Sequence, residues 1–152
     1  MNSSQKVILV IARLLISIVF LISAFDKIID FEGTLHYMAN HGMLKREFFL
    51  ISAIIIQIMG GLSLFFGYHS RYGAMLLVVF LIPTTLIFHT DFSRQGEMVM
   101  FMKNLAVIGG LLMIVAFDLS HQLTEEELVA DDKLLDQANE APNDQLVEVD
   151  EL

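Results

Sequence analysis

Residues 7–25 read VILVIARLLISIVFLISAF, a run in which Arg13 is the only charged residue. A helix rises 1.5 Å per residue, and the hydrocarbon of a bilayer is about 30 Å thick, so about 20 apolar residues make one crossing. Lipid offers backbone N–H and C=O groups no partners, so an open-ended segment of this kind crosses as helix. Residues 48–66, 72–88 and 98–117 have the same character. The first run is longer than a signal-peptide core and has no A-x-A cleavage pattern, so it is expected to stay in the mature chain.

Composition supports the same solvent. Of 152 residues, 55% are apolar and 18% charged, against about 25% charged in a soluble domain. The mean hydropathy is +0.64. Cysteine is absent, which excludes disulfides, thiol nucleophiles, iron–sulfur clusters and cysteine-ligated zinc. Charge is divided unevenly along the chain. From Asp118 onward there are twelve acids against Lys133 alone, whereas the preceding part has six acids and eight bases. The acidic end would repel phosphate, so nucleic acid is not an expected partner.

These features predict an all-α membrane protein. Residues 1–118 form a four-transmembrane-helix bundle, and 119–152 form an acidic, mostly disordered C-terminal tail. The first connection, 26–47, carries Phe31, Leu35 and Met38 at helical spacing, which predicts a short amphipathic helix at the interface between helices 1 and 2. The connection 67–71 is tight and makes its flanking helices an antiparallel pair. Pro83 is expected to kink the third span. Thr124-Glu125-Glu126-Glu127 has the pattern of a capping box opening a separate helix to about Ala138, with disorder beyond Pro142. Four crossings put both termini on one side. The basic residues outside the spans divide nearly evenly, so they do not orient the bundle.

The polar residues inside the spans are the candidate site. Arg13 lies roughly 10 Å into the first span at 1.5 Å per residue. Ser17, Phe20, Ala24 and Lys27 share its face, which must turn toward the bundle. A mid-membrane arginine costs about 2.5–3.5 kcal/mol, so Arg13 either snorkels to head groups or finds an acceptor. Gln57, backbone carbonyls, Asp118, a lipid phosphate or a ligand are the choices. On the second span Ala53, Gln57, Gly60, Gly61 and Leu64 form a stripe of mostly small residues, suited to close helix approach; Gly109 and Gly110 read similarly. At the other mouth Lys27, His89, Lys103 and Asn104 are expected to converge, with Asp26, Asp91 and Glu97 nearby in sequence. Such a set suits a small anion or the carbonyls of a quinone-like molecule, or else an ion-pair network fixing helix ends. A bis-histidine haem lacks its second ligand, and no metal site is expected. Glycine-rich nucleotide loops, HExxH and paired intramembrane carboxylates are missing too.

Three stretches together resemble the DoxX family of small bacterial membrane proteins, over roughly Ile11 to Phe117. They are Arg13-Leu14-Leu15 through Ser23-Ala24-Phe25-Asp26-Lys27; Gln57 through Gly67 followed by Arg71; and Phe101-Met102-Lys103-Asn104 through Leu112. The family usually has Glu at the position of Gln57 and Gly at that of Ala24, so a titratable partner for Arg13 is missing here. The resemblance implies a four-helix bundle of the bacterial cytoplasmic (inner) membrane. It also implies a role as accessory or subunit of a quinone-linked redox system, with Arg13, Lys27, Gln57, Lys103 and Asn104 as motif positions. No residue of the chain transfers electrons by itself, so independent catalysis is not expected, and any redox cofactor would be borrowed. One alternative is a scaffold whose acidic tail docks a basic protein partner. Another is a small-solute transporter with a wet path from the Arg13 layer to the Lys27 layer.

Overall fold

A computed structural model describes residues 3–93 and 96–140. Within them the chain runs α1 (Ser3–Ile29), α2 (Phe31–Asn40), α3 (Arg46–Phe66), α4 (Ser70–Phe88) and α5 (Glu97–Glu140). It divides into two units, Met1–Asp118 and Leu119–Leu152. Four of the helices are long and apolar enough to cross a membrane: α1, α3, α4 and α5. Each contains one of the expected spans, and no strand occurs among the described residues.

Neighbouring helices of the first unit run antiparallel. Between α1 and α3, Arg13 lies against Gly67, Leu21 against Gly61, and Ser23 against Gln57, so one number falls as the other rises. Ser63 meets Gly73 and Gly60 meets Leu77 between α3 and α4. Ser70 meets Asp118 and Thr85 meets Asn104 between α4 and α5. Gly110 of α5 packs on Ile16 of α1. The seam holds Phe20 of α1, Leu64 of α3, Ala74, Leu77 and Leu81 of α4, and Leu111 and Ile114 of α5. The inward face expected for α1 is formed, with Ser17, Phe20 and Ala24 only 0%, 3% and 1% exposed.

Outside this narrow seam the molecule is apolar. Leu15, Phe25, Phe48, Phe66 and Val79 are all exposed, and only 11–33% of the residues in each span are buried. In water such a surface would exceed anything a monomer tolerates. Hydrocarbon covers it at no cost.

Local chemistry sets the turns. Asp30 caps α2, its carboxylate accepting from the Gly33 amide at 3.1 Å. Between α3 and α4 the chain reverses through Gly67 at φ 71° and His69 at φ 52°. Ser63 Oγ shares its proton between the Tyr68 carbonyl at 2.8 Å and the His69 carbonyl at 3.1 Å, and the latter also accepts from the Tyr72 and Gly73 amides that open α4.

Two expectations are corrected at the acidic end. No separate helix opens at Thr124, because α5 continues unbroken through it. Thr124 Oγ1 donates to the Ser120 carbonyl at 3.0 Å, as a mid-helix threonine does. Residues 119–140 are therefore helical, where a mostly disordered tail was expected. The disorder expected beyond Pro142 lies outside the described residues.

Candidate functional site

The six candidate residues do not form one cluster. At the Ile29 end of α1, Lys27 lies in the last helical turn, where a cation suits the helix dipole. Its Nζ donates to Ser23 Oγ at 2.7 Å and to the Ser23 carbonyl at 3.1 Å. From α3, Gln57 Nε2 donates to the same Ser23 Oγ at 3.1 Å. Ser23 is thus the hub that joins an ammonium to a buried amide. The sequence signal was its position one turn before Lys27, with nothing to mark it as shared with residue 57.

Gln57 is 4% exposed, and its Oε1 is buried without a hydrogen-bond partner. If the amide is turned over, the Ser23 hydroxyl donates to the oxygen and the NH2 is left over instead. Either way one buried polar atom of Gln57 is unspent.

His89 caps the end of α4, and its Nδ1 lies 2.7 Å from Glu97 Oε2 in the first turn of α5. The carboxylate accepts, which places a proton on Nδ1 and leaves Nε2 as the ring's second polar atom. Asn104 Nδ2 donates to Thr85 Oγ1 at 3.0 Å, and that hydroxyl donates to the Leu81 carbonyl at 2.7 Å. Asn104 is therefore occupied in holding α5 to α4. Lys103 is exposed and lies 3.8 Å from Met100 Sδ, apart from the other groups. Helix phase explains the split, since adjacent residues on α5 point about 100° apart.

Arg13 belongs to the opposite end. Its Nη1 donates to Ser70 Oγ at 3.5 Å, and Ser70 in turn donates to an Asp118 carboxylate oxygen. The guanidinium lies over the α3–α4 turn, where a Cβ on Gly67 would stand 3.0 Å from Nη2. Of the acceptors open to Arg13, the chain uses Asp118 through a serine bridge. Gly109 is a further correction, for nothing lies within 4 Å of where its Cβ would be.

What Lys27 and His89 share is a cavity of about 320 Å³. It opens between the end of α1, α2, the first half of α3 and the second half of α4. Its walls are mostly apolar: Met38, Met43, Leu50, Ile56, Phe80 and Ile87 among them. Tyr37 and Phe88 supply stacked rings with centroids 5.5 Å apart. Ala53, one helical turn before Gln57, forms part of the wall, so the Lys27–Ser23–Gln57 chain leads inward from this cavity. An apolar chamber with a few converging donors is the usual form of a small-molecule site. No group of three or more potential metal ligands occurs among the described residues.

Four lipid-length helices with an outward apolar surface and their polar groups turned inward define a multi-pass membrane protein. More narrowly, the chain belongs to the DoxX family, whose model matches residues 8–90. It is similar to the inner membrane protein YqjF of Escherichia coli K12, 33% identical over 114 residues that cover 75% of this chain and 86% of the relative. It is also similar to the inner membrane protein YphA of the same organism, 27% identical over 118 residues, 74% of this chain and 84% of the relative. No solved structure matches the chain.

Proposed function

We propose that this protein is an inner-membrane accessory or subunit of a quinone-linked redox system, and that the Lys27–His89 cavity receives the quinone head group. The observation that carries the reading is the cavity itself. At about 320 Å³ it suits a head group, being at the small end of ligand pockets. Lys27 offers N–H donors to a carbonyl, and His89, whose Nδ1–H is held by Glu97, offers Nε2 as an acceptor to a hydroxyl of the reduced head group. Met38, Leu50 and Phe80 exclude water, and the Tyr37–Phe88 pair provides an aromatic wall. Gln57, through Ser23, holds Lys27 in place from below. When bound, a quinone supplies the electron-carrying chemistry that no side chain of this protein has. A small anion at Lys27 is the lesser form of the same proposal. Arg13, Lys103 and Asn104, as placed, take no part in it.

The test is photolabelling of the detergent-solubilised protein with a short-chain azidoquinone, the sites being mapped by mass spectrometry. Label on Tyr37, Phe88 or neighbouring wall residues, competed by unmodified short-chain quinone and reduced in Lys27→Met and His89→Phe, is the expected result. Labelling that excess quinone does not compete would overturn the assignment.

A second reading has its own support. The helical stretch of the second unit exposes Leu128, Leu134 and Leu135 by 64%, 62% and 63% among acids with one base, as a docking helix for a basic protein would. Truncation before Glu125 should then abolish partner capture and leave azidoquinone labelling intact. Solute transport is disfavoured, because buried Ser17, Phe20 and Ala24 fill α1's inner face between Arg13 and Lys27.

A further inference from the structure

A second cavity, about 860 Å³ and more open, lies beside the first at the Arg46 end of α3. Phe49 lines both. The wall of this one is charged with both signs. Glu32 and His36 come from α2, and Lys45, Arg46 and Glu47 from the start of α3. Mixed charges on one surface normally neutralise each other in pairs. Here they do not: no ion pair joins Glu32 or Glu47 to Lys45 or Arg46, all four being described residues. Arg46 spends one guanidinium nitrogen on the Leu35 carbonyl, at 3.5 Å. Two carboxylates and two permanent cations therefore face a common space without meeting one another.

The surroundings say what occupies that space. Leu44 is 83% exposed and Phe48 67% exposed, immediately flanking Lys45-Arg46-Glu47. The cavity thus lies where the apolar surface of α3 gives way to charge, which is the head-group layer of a bilayer. Basic pockets at this depth bind lipid phosphates. Two acids in the same wall would repel a purely anionic lipid.

We infer that this cavity holds the head group of a zwitterionic phospholipid with a primary amine, of the phosphatidylethanolamine type. Lys45 and Arg46 receive the phosphate, Arg46 with the planar donor fork that suits its oxygens. Glu32 and Glu47 accept hydrogen bonds from the ammonium. A phosphatidylglycerol leaves both carboxylates uncompensated. A phosphatidylcholine has the positive charge but no N–H to donate. The site is separate from the quinone reading and does not depend on it.

The experiment reconstitutes the full chain in nanodiscs of equal parts phosphatidylethanolamine, phosphatidylglycerol and phosphatidylcholine, then counts retained lipids by native mass spectrometry. Two extra exposed ion-pair contacts favour phosphatidylethanolamine over phosphatidylglycerol by about two- to thirtyfold. Glu32→Gln with Glu47→Gln should reverse the preference toward phosphatidylglycerol. Lys45→Gln with Arg46→Gln should lower retention of both phosphatidylethanolamine and phosphatidylglycerol. Misfolding cannot move selectivity in one direction and retention in another, and azidoquinone labelling of the first cavity should be unchanged in both variants. Equal retention of the three lipids, or wild-type selectivity in the Glu32/Glu47 variant, overturns the inference. So does displacement of the lipid by stoichiometric soluble phosphoethanolamine, which would assign the site to a free solute; inorganic phosphate displacing it would do the same.

Discussion

Ser70 is 5% exposed and stands between a guanidinium and a carboxylate. Removing its hydroxyl leaves both partners without the group that links them, and a buried polar group left unsatisfied costs about 1–3 kcal/mol. Ser70→Ala is therefore expected to lower the melting temperature in detergent. Once Ser70 is gone, Asp118→Asn should cost less than it does alone, which a double-mutant cycle would show. Gln57 presents the reverse case. Its truncation loses one hydrogen bond to Ser23, worth about 0.5–1.5 kcal/mol, but also removes a buried atom with no partner, which costs about 1–3 kcal/mol. The second figure is the larger, so Gln57→Leu should leave thermal stability unchanged or raise it. A marked fall would mean that the unspent atom is satisfied in the membrane by a bound water. At this scale the sequence was only partly legible. It marked Arg13, Lys27 and Gln57 as polar groups in hydrocarbon, and it named Asp118 among the acceptors for Arg13. It did not reveal Ser23 or Ser70. A serine in an apolar run, as Ser23 is, or at a turn, as Ser70 is, is unremarkable until the partner on another helix is known, and Ser70 lies 57 residues from Arg13.

Glycines on helix faces show why spacing alone misleads about elements. Gly60 and Gly109 sit in similar Gly-Gly pairs. A Cβ on Gly60 would stand 2.5 Å from Leu77 Cγ, the branching atom of a fully buried side chain, whereas one on Gly109 would meet nothing. Gly60→Ala should cost about 1–3 kcal/mol by overpacking α3 against α4. Gly109→Ala should be neutral or stabilise α5 by up to about 1 kcal/mol. Thermal melts of the two variants side by side decide the matter. The same lesson applies at Thr124, where a cap motif is present but nothing ends the preceding helix. No glycine or proline lies between Gly110 and Pro142, so α5 has no reason to stop. The short α2, by contrast, depends on its cap. Asp30→Ala should weaken it by about 0.5–2 kcal/mol and speed amide exchange across Phe31–Asn40, while α3 and α4 stay protected.

For the whole molecule, the spans were the most legible feature, because the bilayer imposes a length and a polarity that any sequence must meet. The site was least legible, because its cavity depends on how four separate segments end beside one another. The number of crossings has a direct consequence for topology. The chain has no cysteine, so single cysteines can be introduced without background. Ser4 precedes the apolar run 7–25 within α1, Asn40 ends α2 between the first two spans, and Glu126 follows the apolar run 98–117 within α5. With four crossings, Ser4→Cys and Glu126→Cys should react with an impermeant maleimide from the same face of sealed vesicles, and Asn40→Cys only from the other. Everted and right-side-out vesicles together then supply the orientation that the near-even basic residues do not. If Asn40→Cys were labelled from the same face as Ser4→Cys, α1 would not cross. If Glu126→Cys were labelled from the face opposite to Ser4→Cys, the number of crossings would be odd. In the first event Arg13 and Lys27 of α1 would lose the membrane setting that makes their buried partners costly to remove; in the second α1 still crosses and the missing or extra crossing lies among the later helices.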